Sequence, residues 1–209
     1  RPRIATMTQR PRGRPPAFER DRAVLEAARL FWRHGYSGTS TRALTAALGV
    51  SSSSLYAAFG SKGGLFEEAI RVCAGRYHRI YQDAVAEEGP AGVIGHLLTA
   101  SVHEFTQDPA GHPGCLAGSA ALADSADTLD AAAYVAALRE ADENLLRERL
   151  EQSAREGALA SEAEARRLAD LVRTLWHGLS ARAVDGAGRE ELLETVRLAR
   201  ELIDQRLSA

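Results

Sequence analysis

From Asp21 to Leu207, apolar residues recur at steps of three and four, with polar residues filling the positions between them. That period marks helices with one buried face. Gly, Ser and Pro fall between the periodic runs and serve as punctuation. The first helix is expected over Asp21–His34, with Asp21 as its cap and Gly35 as its stop. A second is expected over Thr41–Leu48, closed by Gly49. A third spans Ser51–Phe59, with Ser51 in the capping position. A long fourth run, Lys62–Glu88, is ended by Gly89-Pro90. Five more follow at Ala91–Asp108, Cys115–Ser125, Asp127–Glu156, Ser161–Asp185 and Gly188–Leu207. No strand-like alternation and no internal repeat interrupts them, so the expected fold is all-α.

Residues 1–18 break this pattern. They carry Pro, Arg and Gly with almost no apolar period and read as a flexible basic arm. Met7 is the single methionine, and residues 1–6 ahead of it read as an upstream extension. No apolar run approaches the roughly 20 residues of a membrane span, and no signal-peptide pattern is visible. With only Cys73 and Cys115, a disulfide framework is not expected. These features together predict a cytoplasmic protein with reduced thiols.

Charge divides the chain. The formal net charge is −2, yet residues 1–62 hold ten Arg and one Lys against Glu19, Asp21 and Glu26. The remainder is correspondingly acidic. A basic head on an acidic body points the head toward a polyanion.

The second and third helices, joined through Gly49-Val50, have helix-turn-helix spacing. Ala43, Leu44, Ala47 and Leu48 form the apolar face of the first, and Val50, Leu55 and Phe59 hold the second against it. Such a unit presents the N-terminal end of its second helix to the major groove. Here that end is Ser51-Ser52-Ser53-Ser54, followed by Tyr56.

The segment Phe31 to Ile70 resembles the N-terminal domain of TetR-type transcriptional regulators without a gap. The matching residues are Gly35-Tyr36, Gly38-Thr39-Ser40, Leu44, Ala47, Gly49-Val50, Leu55-Tyr56, Phe59 and Ser61-Lys62. The resemblance implies a three-helix DNA-binding domain over 19–62 and a ligand-binding and dimerisation domain over 63–209. It further implies a homodimer acting as a repressor released by a ligand. Residue by residue, it places Thr39, Tyr56 and Lys62 against phosphates, and Arg42, Ser52, Ser53 and Ser54 against phosphates or bases. Position 52 departs from the family, which often has Lys there. Short hydroxyls offer no bidentate fork to guanine, so this helix encodes little specificity by itself. The arm offers a second source. Pro11-Arg12-Gly13-Arg14-Pro15 is similar to an AT-hook core, in which Arg12 and Arg14 enter a narrow minor groove. The alternative is a basic arm that touches phosphates only.

In the body, Leu168, Val172, Leu175 and Leu179 form one apolar seam, and Leu192, Val196, Ala199 and Ile203 form another. Both suit helices packed at shallow angles. They read as a four-helix dimer interface, the alternative being packing inside one subunit. Apolar faces of the other body helices offer Tyr77, Tyr81, Phe105, Leu116, Tyr134, Leu138, Trp176 and His177 as the lining of a pocket for an unidentified small molecule. Cys115 follows His112-Pro113-Gly114 and is expected to open a helix, where backbone amides favour a thiolate. Its segment resembles a TetR branch whose cysteine senses electrophiles, against the simpler reading of a small packed residue. Cys73 reads as core.

Other classes are weaker. His96 and His103 share a helix face, but no CxxC or HxxxH pair supports a metal, and no cofactor motif is visible. No nucleophile–base or paired-carboxylate constellation supports an enzyme. An architectural binder of A/T-rich DNA would explain the arm and head but leave the acidic body without a role.

Overall fold

The computed structural model describes residues 17–108, 114–115 and 128–207. These residues form eight helices and no strand. They are α1 (Ala17–Gly38), α2 (Thr41–Leu48), α3 (Ser52–Phe59), α4 (Lys62–Val85), α5 (Gly89–Phe105), α6 (Leu129–Arg155), α7 (Glu162–Val184) and α8 (Arg189–Leu207). Residues 1–16 of the arm, including Arg12 and Arg14, lie outside the described residues, whereas 17 and 18 already belong to α1, so Asp21 stands inside that helix rather than capping it. Nearly all of the helix expected over Cys115–Ser125 also lies outside the described residues, along with Leu116 and His112. Cys115 itself is described and is not helical.

Local chemistry accounts for most boundaries. Ser40, Ser51, Ser61 and Ser161 each stand before a helix, and each hydroxyl accepts the backbone N–H three residues on. That bond satisfies one of the amides that a helix start leaves unpaired. Gly35 has φ 70° and breaks α1, which then runs on for three further residues. Only glycine takes that conformation without a steric cost. Gly49 ends α2 in the left-handed region, as expected.

Two boundaries move inward from their expected places, both for tertiary reasons. Helix α4 stops at Val85, where the Arg149 guanidinium of α6 donates to the carbonyls of Val85 and Glu87. Gly89-Pro90 then opens α5 rather than merely ending α4, since proline at a first helical position loses no hydrogen bond. Helix α5 stops at Phe105 instead of Asp108. There Arg189, the first residue of α8, donates to the Thr106 hydroxyl and carbonyl.

A single continuous core runs from Val24 and Phe31 in α1 through α4 to α7 and α8. Helix α4 is its spine: it packs on α1 at one end and on α5 and α6 along the rest. Helices α7 and α8 both rest on α5. This arrangement changes the reading of the two apolar seams. Leu168, Val172, Leu179, Leu192, Val196 and Ile203 are buried within the subunit, and Leu175 and Ala199 are partly buried. The sequence period reports the side covered within the chain, by α5 and α6 for α7 and chiefly by α5 for α8, because burial against a neighbour in the same chain and burial in a dimer leave the same pattern. The large apolar residues that α7 and α8 expose are Leu171, Val184, Leu198 and Leu202. Among the described residues no helix is long and apolar enough to cross a membrane.

Candidate DNA-binding surface and ligand pocket

The head is built around Leu44 of α2 and Leu55 of α3, both fully buried beside Phe31, Tyr36 and Phe66. The other expected core positions are less covered. Leu48 and Phe59 are partly buried, whereas Ala43, Ala47 and Val50 are exposed. Two eight-residue helices can enclose only one layer, so their outer apolar positions stay at the surface.

Arg20 was not anticipated as a functional residue, and it ties the head together. Its guanidinium donates to both Glu68 carboxylate oxygens at 2.9 and 2.6 Å and to the Ala58 carbonyl at 2.8 Å. It also lies 4.5 Å from the centre of the Phe59 ring. One side chain therefore joins α1 to α4 and to the C-terminal end of α3. Part of the basic charge counted in the head is thus already matched by an acid of α4. Nothing in the local sequence pairs residue 20 with residue 68.

The proposed DNA contacts that are described separate into four groups. Arg42, Ser52 and Tyr56 are exposed; the Tyr56 hydroxyl lies 3.4 Å from that of Thr41. Ser53 and Ser54 are exposed, yet both hydroxyls lie 2.9 Å from the Ser51 hydroxyl that caps α3. Lys62 sits with its ammonium 4.0 Å from the centre of the Tyr36 ring, a cation–π contact that aims it from the start of α4. Thr39 differs from all of these. It is 1% exposed, and its hydroxyl donates to the Gly35 carbonyl at 2.7 Å. Its side chain closes the break in α1 and is not available at the surface.

In the body, a pocket of about 440 Å³, open to solvent on one side, lies between α4, α6 and α7. Of the anticipated lining, Tyr77, Tyr81, Cys115, Leu138, Trp176 and His177 face it. Phe105 does not. It is fully buried behind Tyr77 and Trp176, with ring centres 5.6 and 5.1 Å away. Tyr134 turns instead toward the Arg71 guanidinium, 4.2 Å from its ring centre. Sequence reading missed Ala74, Val135, Arg139, Asp142 and Glu143. Charged positions on a long helix read as solvent-facing, and only the placement of α6 against α4 turns them inward.

Most polar atoms of this pocket are matched. Trp176 Nε1 donates to the Ser101 hydroxyl at 2.8 Å, and the Tyr77 hydroxyl donates to the Gly114 carbonyl at 2.9 Å. Asp142 is buried with Oδ1 2.5 Å from His78 Nδ1. Burial raises its carboxyl above the ordinary range, while the His78 hydrogen bond opposes that shift. Burial also lowers the His177 imidazole, helped by the nearby Arg139 charge, and so favours its neutral form.

Cys115 is 5% exposed, and its N–H donates to the Ser180 hydroxyl at 3.0 Å. Gly114 before it has φ 72°, and an added Cβ would come within 2.7 Å of the Ser180 carbonyl oxygen and of Val184 Cγ2. Glycine is therefore what lets this segment lie against α7 and present Cys115 to the pocket. Cys73 packs against the core, and burial pushes its thiol up to about 11. His96 pairs with Glu87 at 2.8 Å. No group of three or more candidate metal ligands is gathered among the described residues.

An all-helical chain with a helix-turn-helix unit near its start and a pocketed helical body has the architecture of a DNA-binding regulator. Comparison with known proteins makes this specific. Residues 24–69 match the profile described as bacterial regulatory proteins, tetR family. The HTH-type transcriptional repressor ComR of Escherichia coli (strain K12) is 30% identical over 200 residues, covering 92% of this chain and 94% of ComR. The HTH-type transcriptional repressor BdcR of the same organism is 29% identical over 193 residues, covering 91% of this chain and 92% of BdcR. Among solved structures, a cysteine mutant of the TetR family regulator CifR, complexed with 26-bp operator DNA, superposes with a TM-score of 0.76. It is 37% identical, and the match covers 90% of this chain and 98% of CifR. The chain belongs to the TetR family of bacterial transcriptional regulators.

Proposed function

We propose that this protein is a homodimeric repressor that leaves a palindromic operator when a small molecule, including a thiol-reactive one, occupies the pocket at Cys115. The observation that carries this reading is the continuity of α4. It begins at Lys62, just past the C-terminal end of α3 at Phe59, and it supplies Ala74, Tyr77 and Tyr81 to the pocket. A compound that moves α4 at the pocket must also move the head. Arg42, Ser52, Tyr56 and Lys62 are the proposed DNA contacts, with Ser53 and Ser54 shaping the end of α3. Arg12 and Arg14 add minor-groove or phosphate contacts. The operator complex of CifR supports DNA as the partner.

Dimerisation through α7 and α8 is proposed on different side chains from those of the sequence seams. Leu171, Val184, Leu198 and Leu202 are the large apolar residues exposed there, and two such faces bring two heads to successive half-sites, about 34–36 Å apart. Ligand changes operator occupancy only by binding the two arrangements with different affinity.

The test begins with selection of genomic fragments by the purified protein. A single enriched palindrome is expected, and a diffuse A/T-rich preference without dyad symmetry would overturn the reading in favour of an architectural role. Cys115→Ser is then expected to keep operator binding and lose release by thiol-reactive compounds. Release that persists in the variant would remove the thiol from the mechanism.

A further inference from the structure

We propose that the pocket at Cys115 and a basic cleft beside it form one site, whose ligand is a small monocarboxylate with an aromatic or apolar tail. The proposal rests on reading the chain as a ligand-responsive regulator and names the ligand class of that same pocket. The cleft, about 630 Å³ including its opening, runs between α6 and α7 and is lined by Arg147, Arg166 and Arg173 together with Glu143 and Asp170. It shares Tyr81 and Glu143 with the first pocket, so the two cavities meet at that pair.

Tyr81 marks where a polar head would sit. It is 6% exposed, and its hydroxyl has no hydrogen-bond partner among the described residues. The neighbouring Tyr77 and Trp176 both have theirs. Tyr81 lines both cavities, so its hydroxyl is a donor at their junction that a ligand acceptor can take in place of solvent. Burial keeps it protonated and therefore a donor.

The arginines are loosely held. Arg173 reaches Glu143 at 3.4 Å and Asp170 at 3.9 Å, Arg166 reaches Glu151 at 3.6 Å, and Arg147 bonds the neutral Asn144 side chain. Each guanidinium has five N–H donors, and long exposed ion pairs contribute little. A ligand carboxylate can therefore take bidentate bonds in their place. The joined lining carries Arg139, Arg147, Arg166 and Arg173 against Asp142, Glu143 and Asp170, an excess of one positive charge that favours a monoanion over a polyphosphate and disfavours a cation. On the other side of Tyr81, Ala74, Val135, Leu138 and Trp176 present an apolar wall to the tail.

Calorimetric titration of the full chain with 4-phenylbutyrate, 4-phenylbutan-1-ol and 4-phenylbutylammonium tests this. The carboxylate should bind about tenfold or more tightly than the alcohol, as expected for a charge-assisted hydrogen bond, and the ammonium should bind least. Tyr81→Phe and Arg147→Gln should each weaken the carboxylate about tenfold and leave the alcohol unchanged. Arg147 is exposed, so its variant decides the matter should Tyr81→Phe fail to fold. Equal binding of acid and alcohol, binding of neither, or variants that bind like the parent would each overturn the proposal. Release of operator by other compounds, without carboxylate binding, would sink this site and leave the regulator intact. Carboxylate binding with the expected pattern but no effect on operator would keep the site and sink the regulator.

Discussion

Helix α4 buries aromatic side chains near both ends, and the two clusters are put to different use. At the head, Phe66 meets Phe31 and Tyr36 with ring centres 4.9 and 5.1 Å apart, in edge-on contact. At the body, Tyr77 meets Phe105 and Trp176, each at 5.6 Å, and Tyr77 and Trp176 form one wall of a pocket. The first cluster acts as a joint, because close-packed rings transmit displacement with little slack. The second holds its polar ends on specific partners and leaves space beside them. Residue class does not distinguish the two; what does is whether the opposing helix fills the gap with apolar side chains or leaves it lined with Arg139, Asp142 and Glu143.

The largest effect should come from breaking the joint. Phe66→Ala removes a fully buried ring and should cost about 3–5 kcal/mol of stability, measured by denaturant unfolding. A loss below about 1 kcal/mol would mean that head and body do not share this core.

A smaller effect should follow at the pocket. Tyr77→Phe leaves the ring in place and removes the donor to the Gly114 carbonyl, costing about 1–3 kcal/mol. Because that bond tethers the segment bearing Cys115, the thiol should also react faster with an alkylating reagent. Unchanged reactivity would show that the Ser180 contact and the fit of Gly114 against α7 hold the segment without Tyr77.

The smallest concerns pH. Burial raises the Asp142 carboxyl in the folded chain, so the native state holds that proton more tightly than the unfolded one. Its contribution to stability is present in full below the ordinary carboxylate range and is lost as pH rises through the raised value. Unfolding midpoints followed from acid to neutral pH should therefore fall less steeply in Asp142→Asn than in the parent. Parallel curves would mean that the His78 pair cancels the cost of burial.

Periodicity and capping chemistry determined much of this protein on their own. The position of α2, the serine caps, the break at Gly35 and the helix-turn-helix with its family resemblance all follow from interactions within a few residues. Such interactions are written in adjacent letters. Tyr77, Tyr81, Cys115, Leu138, Trp176 and His177 were legible as pocket candidates because large amphipathic residues on apolar faces are few. Tertiary structure alone decided where Arg20, Arg149 and Arg189 would bind, since each meets a partner far along the chain. It also decided that the seams of α7 and α8 are filled by α5 and α6, that Thr39 is covered, and that Asp142 of α6 is buried. A period records that one side of a helix is buried and does not name the surface that covers it.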